Sequence, residues 1–256
     1  MDGFGFPVSA GHFRFQAESR IVRRLLSRVE HHDAVLDLGS GVGHWAEEFA
    51  QSFLHVVAVE GSQALYQALA KRCAPYANIR VTHGNVLLVE PEGQYSLIFL
   101  GGLLMYLDEN DVIALLKKLA PCLAPNGTIL CRESTARGKT TARTGDYSVV
   151  YRSVPDYKRI FTHCGLTLTH AERNEPYVLM QMGCELIKKW KQIVPEPLQA
   201  LRSVGHLTYW GLRLGAPWIT YLPTLLGIPF PILENHFFVL GTDPPAAGPS
   251  HQVDRA

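Results

Sequence analysis

Three alternating glycines follow an apolar run early in the chain, and their spacing carries the clearest chemical prediction. Residues 35–43 read Val-Leu-Asp-Leu-Gly-Ser-Gly-Val-Gly, and a helical pattern starts at His44. A continuous apolar run is typical of a buried parallel strand, and glycines at its end allow a tight turn and a close backbone approach to a ligand. The stretch therefore predicts a strand, a turn and a helix that hold a nucleotide-like ligand at the carboxyl end of the first strand.

The glycine spacing argues against a nicotinamide or flavin dinucleotide. The dinucleotide fingerprint needs a third glycine or alanine three residues after the second glycine, which is position 44 here. That position is His44, and the glycines stand at alternate positions instead. NAD and FAD are therefore not the expected ligands.

The same residues match the first motif of a known superfamily. Asp37 followed by Gly-x-Gly-x-Gly at 39–43 resembles the class I S-adenosylmethionine-dependent methyltransferases. Their second motif, an acidic residue that ends the second strand, is similar to Glu60, which stands 17 residues beyond Gly43. The resemblance covers roughly residues 20–175. It implies that S-adenosyl-L-methionine is the cofactor and that Glu60 accepts hydrogen bonds from the ribose hydroxyls.

Later elements recur in the order that this superfamily has. Family members often carry an acidic residue at the position of Asn85, which keeps an acceptor oxygen for the adenine amino group but lacks the charge. A strand runs into Gly101, and a Leu-x-Pro-x-Gly-like turn at 123–127 precedes the fifth strand. The cofactor-binding residues that the resemblance implies are Asp37, Gly39, Ser40, Gly41, Gly43, Glu60, Gly61, Asn85, Val86 and Gly101.

Methyl transfer from a sulfonium is an in-line displacement, which requires alignment of the nucleophile, the methyl carbon and the sulfur. A general base helps when the acceptor is a hydroxyl or a protonated amine. Candidates are expected after strands four and five, in the following loop and in the N-terminal segment. The candidate catalytic residues are Glu133, Tyr106 and His12, and the candidate substrate-binding residues are Arg132, Tyr147, Tyr151 and Arg152. The alternatives are a structural Arg132–Glu133 ion pair, an ordinary surface role for His12, and tyrosines that pack under the loop.

The order of the elements predicts the fold. Strands and helices alternate up to about residue 131, which favours right-handed parallel β-α-β units. We predict an α/β fold, a doubly wound seven-stranded mainly parallel sheet with an apolar, mostly helical insertion before the last strand. Residues 132–152 are predicted to form a polar, mobile loop. The predicted segments are an N-terminal cover at 1–18, an S-adenosylmethionine-binding core at 19–175, the insertion or lid at 176–233, the final strand at 234–242 and a disordered tail at 243–256.

The insertion contains an uncharged stretch, residues 214–233, about long enough to span a bilayer. Prolines at 217, 223, 229 and 231 interrupt it, and a proline inside a helix costs about 3 kcal/mol. The stretch therefore favours a lid of short helices over an apolar substrate rather than a transmembrane helix. A membrane-resting or oligomer-forming surface is an alternative, as is a seventh strand at 178–190 followed by an appendage.

The composition narrows the possible partners. The formal net charge is +1, which gives no electrostatic reason to expect a nucleic-acid partner. The five cysteines are odd in number and lack a Cys-x-x-Cys pair, so reduced thiols are expected and no metal site is predicted. The N-terminal residues lack the basic and apolar regions of a secretory signal, and a cytoplasmic location is the resulting expectation.

These observations predict a methyltransferase that acts on a small, apolar or aromatic acceptor, such as an aromatic, isoprenoid or polyketide-like molecule of secondary metabolism. Methylation at oxygen, nitrogen or carbon stays open. One alternative is a peptide or protein α-amine N-methyltransferase, which the order Arg132-Glu133, Gly/Thr-rich loop and Tyr-containing helix start loosely resembles. Two others are a membrane-docked lipid or quinone methyltransferase, for which 206–233 is the discriminating feature, and a non-catalytic nucleoside-binding scaffold.

Overall fold

A nine-stranded sheet lies at the centre of the structure, a computed structural model that describes residues 4–27, 29–145, 148–199 and 201–242. The strands are β1 Ala34–Leu38, β2 His55–Glu60, β3 Ile79–His83, β4 Tyr95–Gly101, β5 Leu123–Ala136, β6 Thr141–Arg143, β7 Val149–Ser153, β8 Leu166–Arg173 and β9 Leu233–Thr242. The helices are α1 Ser9–Leu26, α2 His44–Phe49, α3 Gln63–Cys73, α4 Glu109–Leu119, α5 Val154–His163, α6 Glu175–Ile193, α7 Glu196–Gln199, α8 Arg202–Gly215 and α9 Trp218–Leu225. The tail predicted at 243–256 lies outside the described residues.

The strand order confirms the predicted doubly wound sheet, but the sheet has nine strands rather than the predicted seven, because β6 and β7 lie in the stretch predicted as a loop. Strands β3, β2, β1, β4 and β5 pair side by side and in parallel. Strand β9 then runs antiparallel between β5 and β8, with Ile129 opposite Leu240 and Ala136 opposite Leu233. The reversal of strand order between β1 and β4 creates a crevice at the carboxyl ends of the strands, where ligands of such sheets bind.

Alternate side chains of the central strands supply two apolar cores, one on each face of the sheet. On one face, Leu36 packs with α4 and α5 through residues such as Leu116 and Tyr157. On the other face, Val35 packs with α1, α2 and α3 through residues such as Val22. Both cores hold the carboxyl ends of β1, β2, β4 and β5 at one edge.

The polar stretch 132–152 is more regular than predicted. Strand β5 continues through Ala136, and β6 and β7 form an antiparallel hairpin in which Thr141 lies opposite Tyr151. Strand β7 pairs in parallel with the end of β5, where Thr135 lies opposite Arg152. The β-branched and aromatic residues at 149–151 favour a strand, and the prediction of a loop overlooked them.

Two other boundaries differ from the prediction. Helix α1 runs from Ser9 to Leu26, so the division between a cover at 1–18 and a core from 19 falls inside one helix. Residues 178–190 lie within α6, which removes the alternative of a seventh strand there. The predicted strand at 234–242 corresponds to β9, which begins at Leu233.

The inserted helices α6 to α9 are anchored to the core at both ends. Helix α6 follows β8 directly, and its buried Glu185 accepts hydrogen bonds from the backbone N–H groups of Ile232 (3.1 and 3.0 Å) and Leu233 (3.4 Å). The N-terminal segment passes over α8, where a Cβ on Gly205 would lie 2.3 Å from the backbone of Gly5. Within the described residues, no helix has both the length and the apolar character that crossing a bilayer requires.

The Gly205 contact predicts a clear contrast between two glycines of the same helix. Gly205→Ala should lower the free energy of unfolding by about 1–3 kcal/mol because its methyl group forces the N-terminal segment away from α8. Gly211→Ala is the matched control, since a Cβ there has nothing within 4 Å and should be neutral or slightly stabilising. Urea unfolding of both variants checks this, and equal stabilities would contradict the proposed packing.

Candidate functional site

The turn after β1 is shaped by three glycines with left-handed backbones. Gly39, Gly41 and Gly43 have φ angles of 73°, 57° and 87°. The N–H groups of Gly39 and Ser40 both donate to the carbonyl of Val59, at 2.9 and 3.0 Å, which fixes the turn against β2. A Cβ on Gly41 would have nothing within 4 Å, so open space lies beside this residue, and any larger side chain would occupy it.

Glu60, at the end of β2, holds this turn through its carboxylate. Its Oε2 accepts from the N–H of Gly41 at 2.8 Å, and its Oε1 accepts from the N–H of Ser62 at 2.7 Å. The residue is only 7% exposed. Each carboxylate oxygen has a further lone pair, so Glu60 supports the turn and still has capacity for a ligand hydroxyl.

Asp37 is the buried acid at the end of β1. Burial raises the pKa of Asp37 to about 7, and repulsion from Glu60 acts in the same direction. The hydrogen bond of Ser40 lowers the pKa but is outweighed. Among the described residues its Oδ2 has no hydrogen-bond partner. A buried carboxylate oxygen without a donor is a site for a cation or for a donor that a ligand brings.

The residues predicted for the adenine side lie together at the ends of β2 and β3. The carbonyl of Gly61 is 3.0 Å from Nε2 of His83, and Val86 is buried in the core below. Oδ1 of the exposed Asn85 accepts from the N–H of Leu87 at 2.9 Å. One acceptor position of Asn85 is therefore used within its own turn.

Helix α1 forms the opposite wall of the cleft. A cavity of about 340 Å³ lies between α1 and the glycine turn. Arg14, Phe15 and Glu18 line it from α1, whereas His12 lies on the exposed part of the helix, with its ring 6.3 Å from that of Phe13. The remaining residues around this cleft are Asp37, Gly39, Ser40, Gly41, Val42, His44, Trp45, Phe99, Gly101, Arg132 and Tyr177.

Arg132 lies in this cleft and pairs with Glu18 rather than with its neighbour Glu133. Its Nη2 donates to Oε1 of Glu18 at 2.9 Å, and its guanidinium lies 5.2 Å from the ring centre of Tyr177. Arg14 approaches the same ring at 5.6 Å. Glu18 also accepts from Arg14 at 3.2 Å and from Asn174 at 3.0 Å, so one buried carboxylate organises the polar end of the cleft.

Glu133 points to the other face of β5, because adjacent strand residues alternate. It is fully buried, and its Oε1 accepts from the N–H groups of Leu103 (3.0 Å) and Leu104 (3.1 Å). Burial raises its pKa to about 7 despite these bonds. The structure therefore places Glu133 beneath the turn after β4 and outside the lining of the cleft. The alternative of a structural Arg132–Glu133 ion pair is wrong, because Arg132 pairs with Glu18.

Arg152 holds the same turn from the opposite side. Its Nη1 donates to the carbonyl of Leu104 at 2.8 Å, and its Nη2 donates to the carbonyl of Leu107 at 2.7 Å. Glu133 and Arg152 thus clamp the 3-10 turn Leu104–Tyr106 between them. Arg152 is 2% exposed and bound to backbone carbonyls, so it positions this turn. It does not face the cleft, although it was predicted to bind substrate.

The three tyrosines among the candidates have different positions. Tyr106 ends the clamped turn and is 54% exposed. Tyr151 lines a second cavity, of about 550 Å³, between the β6–β7 hairpin and residues 227–233. Burial raises its pKa, and both Arg143 and Tyr177 are close enough to influence it. Tyr147 lies outside the described residues.

Sequence reasoning missed Glu18 and Tyr177, which meet Arg132 in the cleft. A signal was present for Glu18, since it stands four residues before Val22 on the buried stripe of an otherwise basic helix. Tyr177 belongs to the insertion, and only its packing brings it beside β5. Ser134 donates to its hydroxyl at 3.4 Å.

Comparisons with known proteins agree with this geometry. The family described as "Methyltransferase domain" matches residues 10–171. Phosphoethanolamine N-methyltransferase 1 of Arabidopsis thaliana is 26% identical over 157 residues, which are 60% of this chain and 31% of that protein. The chain therefore spans about a third of the length of this curated relative.

Solved structures show the same fold at low identity. A SAM-dependent methyltransferase of Leishmania major has a TM-score of 0.62 and 15% identity, covering 88% of this chain and 72% of that one. An O-methyltransferase from a trans-AT PKS multienzyme of Brevibacillus brevis, in complex with S-adenosyl-L-homocysteine, has a TM-score of 0.60 and 14% identity, covering 86% and 71%. The family match over residues 10–171, together with this shared fold, confirms the predicted superfamily.

The clamp on the turn after β4 predicts that replacing a buried arginine lowers the free energy of unfolding much more than replacing an exposed one. Arg152→Leu should lower the free energy of unfolding by about 1–3 kcal/mol, because two buried carbonyls lose charged donors. Arg159→Leu removes a two-bond pair with Glu109 that is 55% and 46% exposed, and should cost less than about 1 kcal/mol. Urea unfolding measures both, and an equal loss in the two variants would contradict the clamp.

Proposed function

The chain belongs to the methyltransferase domain family of the class I S-adenosylmethionine-dependent methyltransferases, and we propose that it methylates a small acceptor with an apolar body and an anionic group. The observation that carries the proposal is the arrangement of two neighbouring cavities. One contains Asp37 and the open glycine turn, and the other has an apolar wall and a cationic rim. Tyr177 lines the first cavity and lies close enough to Tyr151, in the second, to influence its pKa.

The cleft contains buried polar atoms without hydrogen-bond partners, and these atoms are suited to the polar groups of S-adenosylmethionine. Oδ2 of Asp37 has no partner among the described residues and suits the methionine ammonium group. The Nε–H of Arg14 is buried without an acceptor within the same residues and suits the methionine carboxylate. Glu60 would hold the ribose hydroxyls beside the open space at Gly41. When bound, the cofactor supplies an electrophilic methyl group on a sulfonium.

The protein's own contribution is alignment in a site shielded from water. An aromatic wall encloses the cleft, since the ring of Trp45 lies 5.0 Å from that of Phe15 and 5.1 Å from that of Phe99. The clamped turn at Leu104–Tyr106 fixes the backbone after β4. Tyr177, held between two guanidinium groups in the lining of the cleft, would orient the acceptor.

The second cavity supports an acceptor with both apolar and anionic parts. Ile228, Pro229 and Ile232 supply apolar walls, while Lys139 and Arg143 stand at the hairpin. No carboxylate occurs among the described residues that line this cavity. Such a lining disfavours a protonated peptide amine and favours a carboxylate or phosphate. The named substrate of the Arabidopsis relative, phosphoethanolamine, also carries a phosphate.

The cofactor assignment predicts that titration calorimetry detects binding of S-adenosylmethionine and S-adenosylhomocysteine. Glu60→Ala should weaken binding by about 1.5–3 kcal/mol, roughly tenfold to hundredfold, because hydrogen bonds to a charged acceptor are lost. Glu90→Ala is the control, as its side chain is 82% exposed in a weak pair with Lys118. An unchanged dissociation constant for Glu60→Ala would remove Glu60 from the site, and no binding of either ligand to the unaltered protein would contradict the cofactor.

The acceptor assignment predicts a preference between matched acceptors. In an assay that measures the release of S-adenosylhomocysteine, an apolar carboxylic acid should have a lower KM than its carboxamide. The double variant Lys139→Gln, Arg143→Gln should raise the KM of the acid about tenfold or more and leave that of the amide unchanged. Lys117→Gln, an exposed lysine on α4, is the control. Equal use of both acceptors by the unaltered protein would overturn the anionic group while leaving methyl transfer intact.

A further inference from the structure

Helix α8 carries a second apolar stripe that faces away from the protein. Its buried stripe includes Tyr209 and Leu212. On the other side, Leu207 is 74% exposed and Leu214 is 87% exposed, with Trp210 between them at 42%. These three residues follow the i, i+3, i+7 spacing of one helix face. An α-helix that only packed on the core would carry polar residues there.

The exposed apolar surface continues through α9 and the segment after it. Trp218, Leu222 and Leu225 again share one helix face and are 80%, 50% and 77% exposed. All three fall in the uncharged stretch 214–233. We call the following set the apolar docking face: Leu207, Trp210, Leu214, Trp218, Leu222, Leu225, Leu226, Ile228 and Ile232. Exposed apolar surface on this scale marks an interaction site.

Cationic side chains accompany the apolar docking face. The guanidinium of Arg213 lies 5.8 Å from the ring of Trp210, and Nζ of Lys189 lies 5.0 Å from the ring of Phe230. Arg137 donates to Oγ1 of Thr224 at 2.7 Å. Within the described parts of the chain, none of these three cations forms an ion pair with a carboxylate. The sequence from 197 to 233 contains no Asp or Glu.

An apolar face with cations beside it and no acid within residues 197–233 is complementary to one surface in particular. Leucine, isoleucine and tryptophan side chains at the boundary of headgroups and acyl chains, with Lys and Arg beside them, are the composition of helices that rest in an anionic bilayer surface. A second copy of the chain would bring like charges together, which is unfavourable. We propose that the apolar docking face binds the surface of a membrane that contains anionic lipid.

The second cavity shares lining residues with the apolar docking face, which bears on how an acceptor would reach it. Ile228 and Ile232 belong to the apolar docking face and also line the cavity beside Tyr151. A docked protein would therefore present the cavity mouth to the bilayer, and an amphiphilic acceptor could enter without crossing water. This consequence rests on the proposed function, whereas the docking itself does not.

Co-flotation with vesicles tests the docking, using phosphatidylcholine alone and phosphatidylcholine with phosphatidylserine. The full chain should partition onto the anionic vesicles, on the order of tenfold better than onto the neutral ones, and added salt should weaken binding. The double variant Trp218→Glu, Leu225→Glu should lose binding to both. The matched control is Leu54→Glu, Leu88→Glu, which alters leucines that are 64% and 76% exposed elsewhere on the surface and should bind as the unaltered protein does.

Three outcomes would overturn the docking proposal. They are no binding of the unaltered chain to anionic vesicles, equal loss in the Leu54 and Leu88 variant, and full binding by the Trp218 and Leu225 variant. A dimer in light scattering that this variant dissociates, together with no vesicle binding, would assign the face to a second copy instead. Far-UV circular dichroism confirms that each variant is folded. Calorimetry with S-adenosylmethionine shows separately whether the proposed function holds.

Discussion

A carboxylate removed from water must receive hydrogen bonds or take up a proton, and this constraint organises the carboxyl edge of the sheet. Glu60 meets it with two backbone N–H groups of the turns around it. Glu18 meets it with side chains from its own helix, from β5 and from the residue just before α6. Asp37 has an oxygen that the described residues do not satisfy, and its pKa rises accordingly to about 7. Asp37 thus brings an unpartnered carboxylate oxygen to the lining of the cleft.

The same constraint connects the insertion to the core. Asn174, just before α6, donates both to Glu18 on α1 and to the buried Asn235 on β9. Glu185 on α6 accepts from the backbone at the start of β9. These contacts fix α6 against the end of β5, and so they place Tyr177 in the lining of the cleft. The insertion therefore contributes a side chain to the lining of the cleft.

The turn after β4 shows how a polar pair can serve a site without entering it. Glu133 accepts from N–H groups at the start of the turn, and Arg152 donates to the carbonyls of its first residue, Leu104, and of Leu107, which follows it. Both side chains are buried, so their loss would leave unpaired backbone groups. Residue types that suggest catalysis in a sequence, an acid and an arginine after strands of such a sheet, here fix the backbone that borders the site.

The sequence by itself determined the parallel strands β1 to β5, the glycine turn and the position of Glu60 at the end of β2, because apolar runs and alternating glycines are local patterns with local physical causes. It also located β9 beyond an insertion, since Phe237 and Phe238 stand in a short apolar run near the end. Only the tertiary structure decided which polar residues share the cleft. Arg132 and Glu133 are neighbours in sequence, yet the alternation of β5 sends them to opposite faces. Arg132 then pairs with the distant Glu18, whereas Glu133 accepts from the turn after β4. Packing likewise decided that Trp218 and Leu225 are exposed. An uncharged stretch has the same sequence pattern whether its side chains are buried or exposed to solvent.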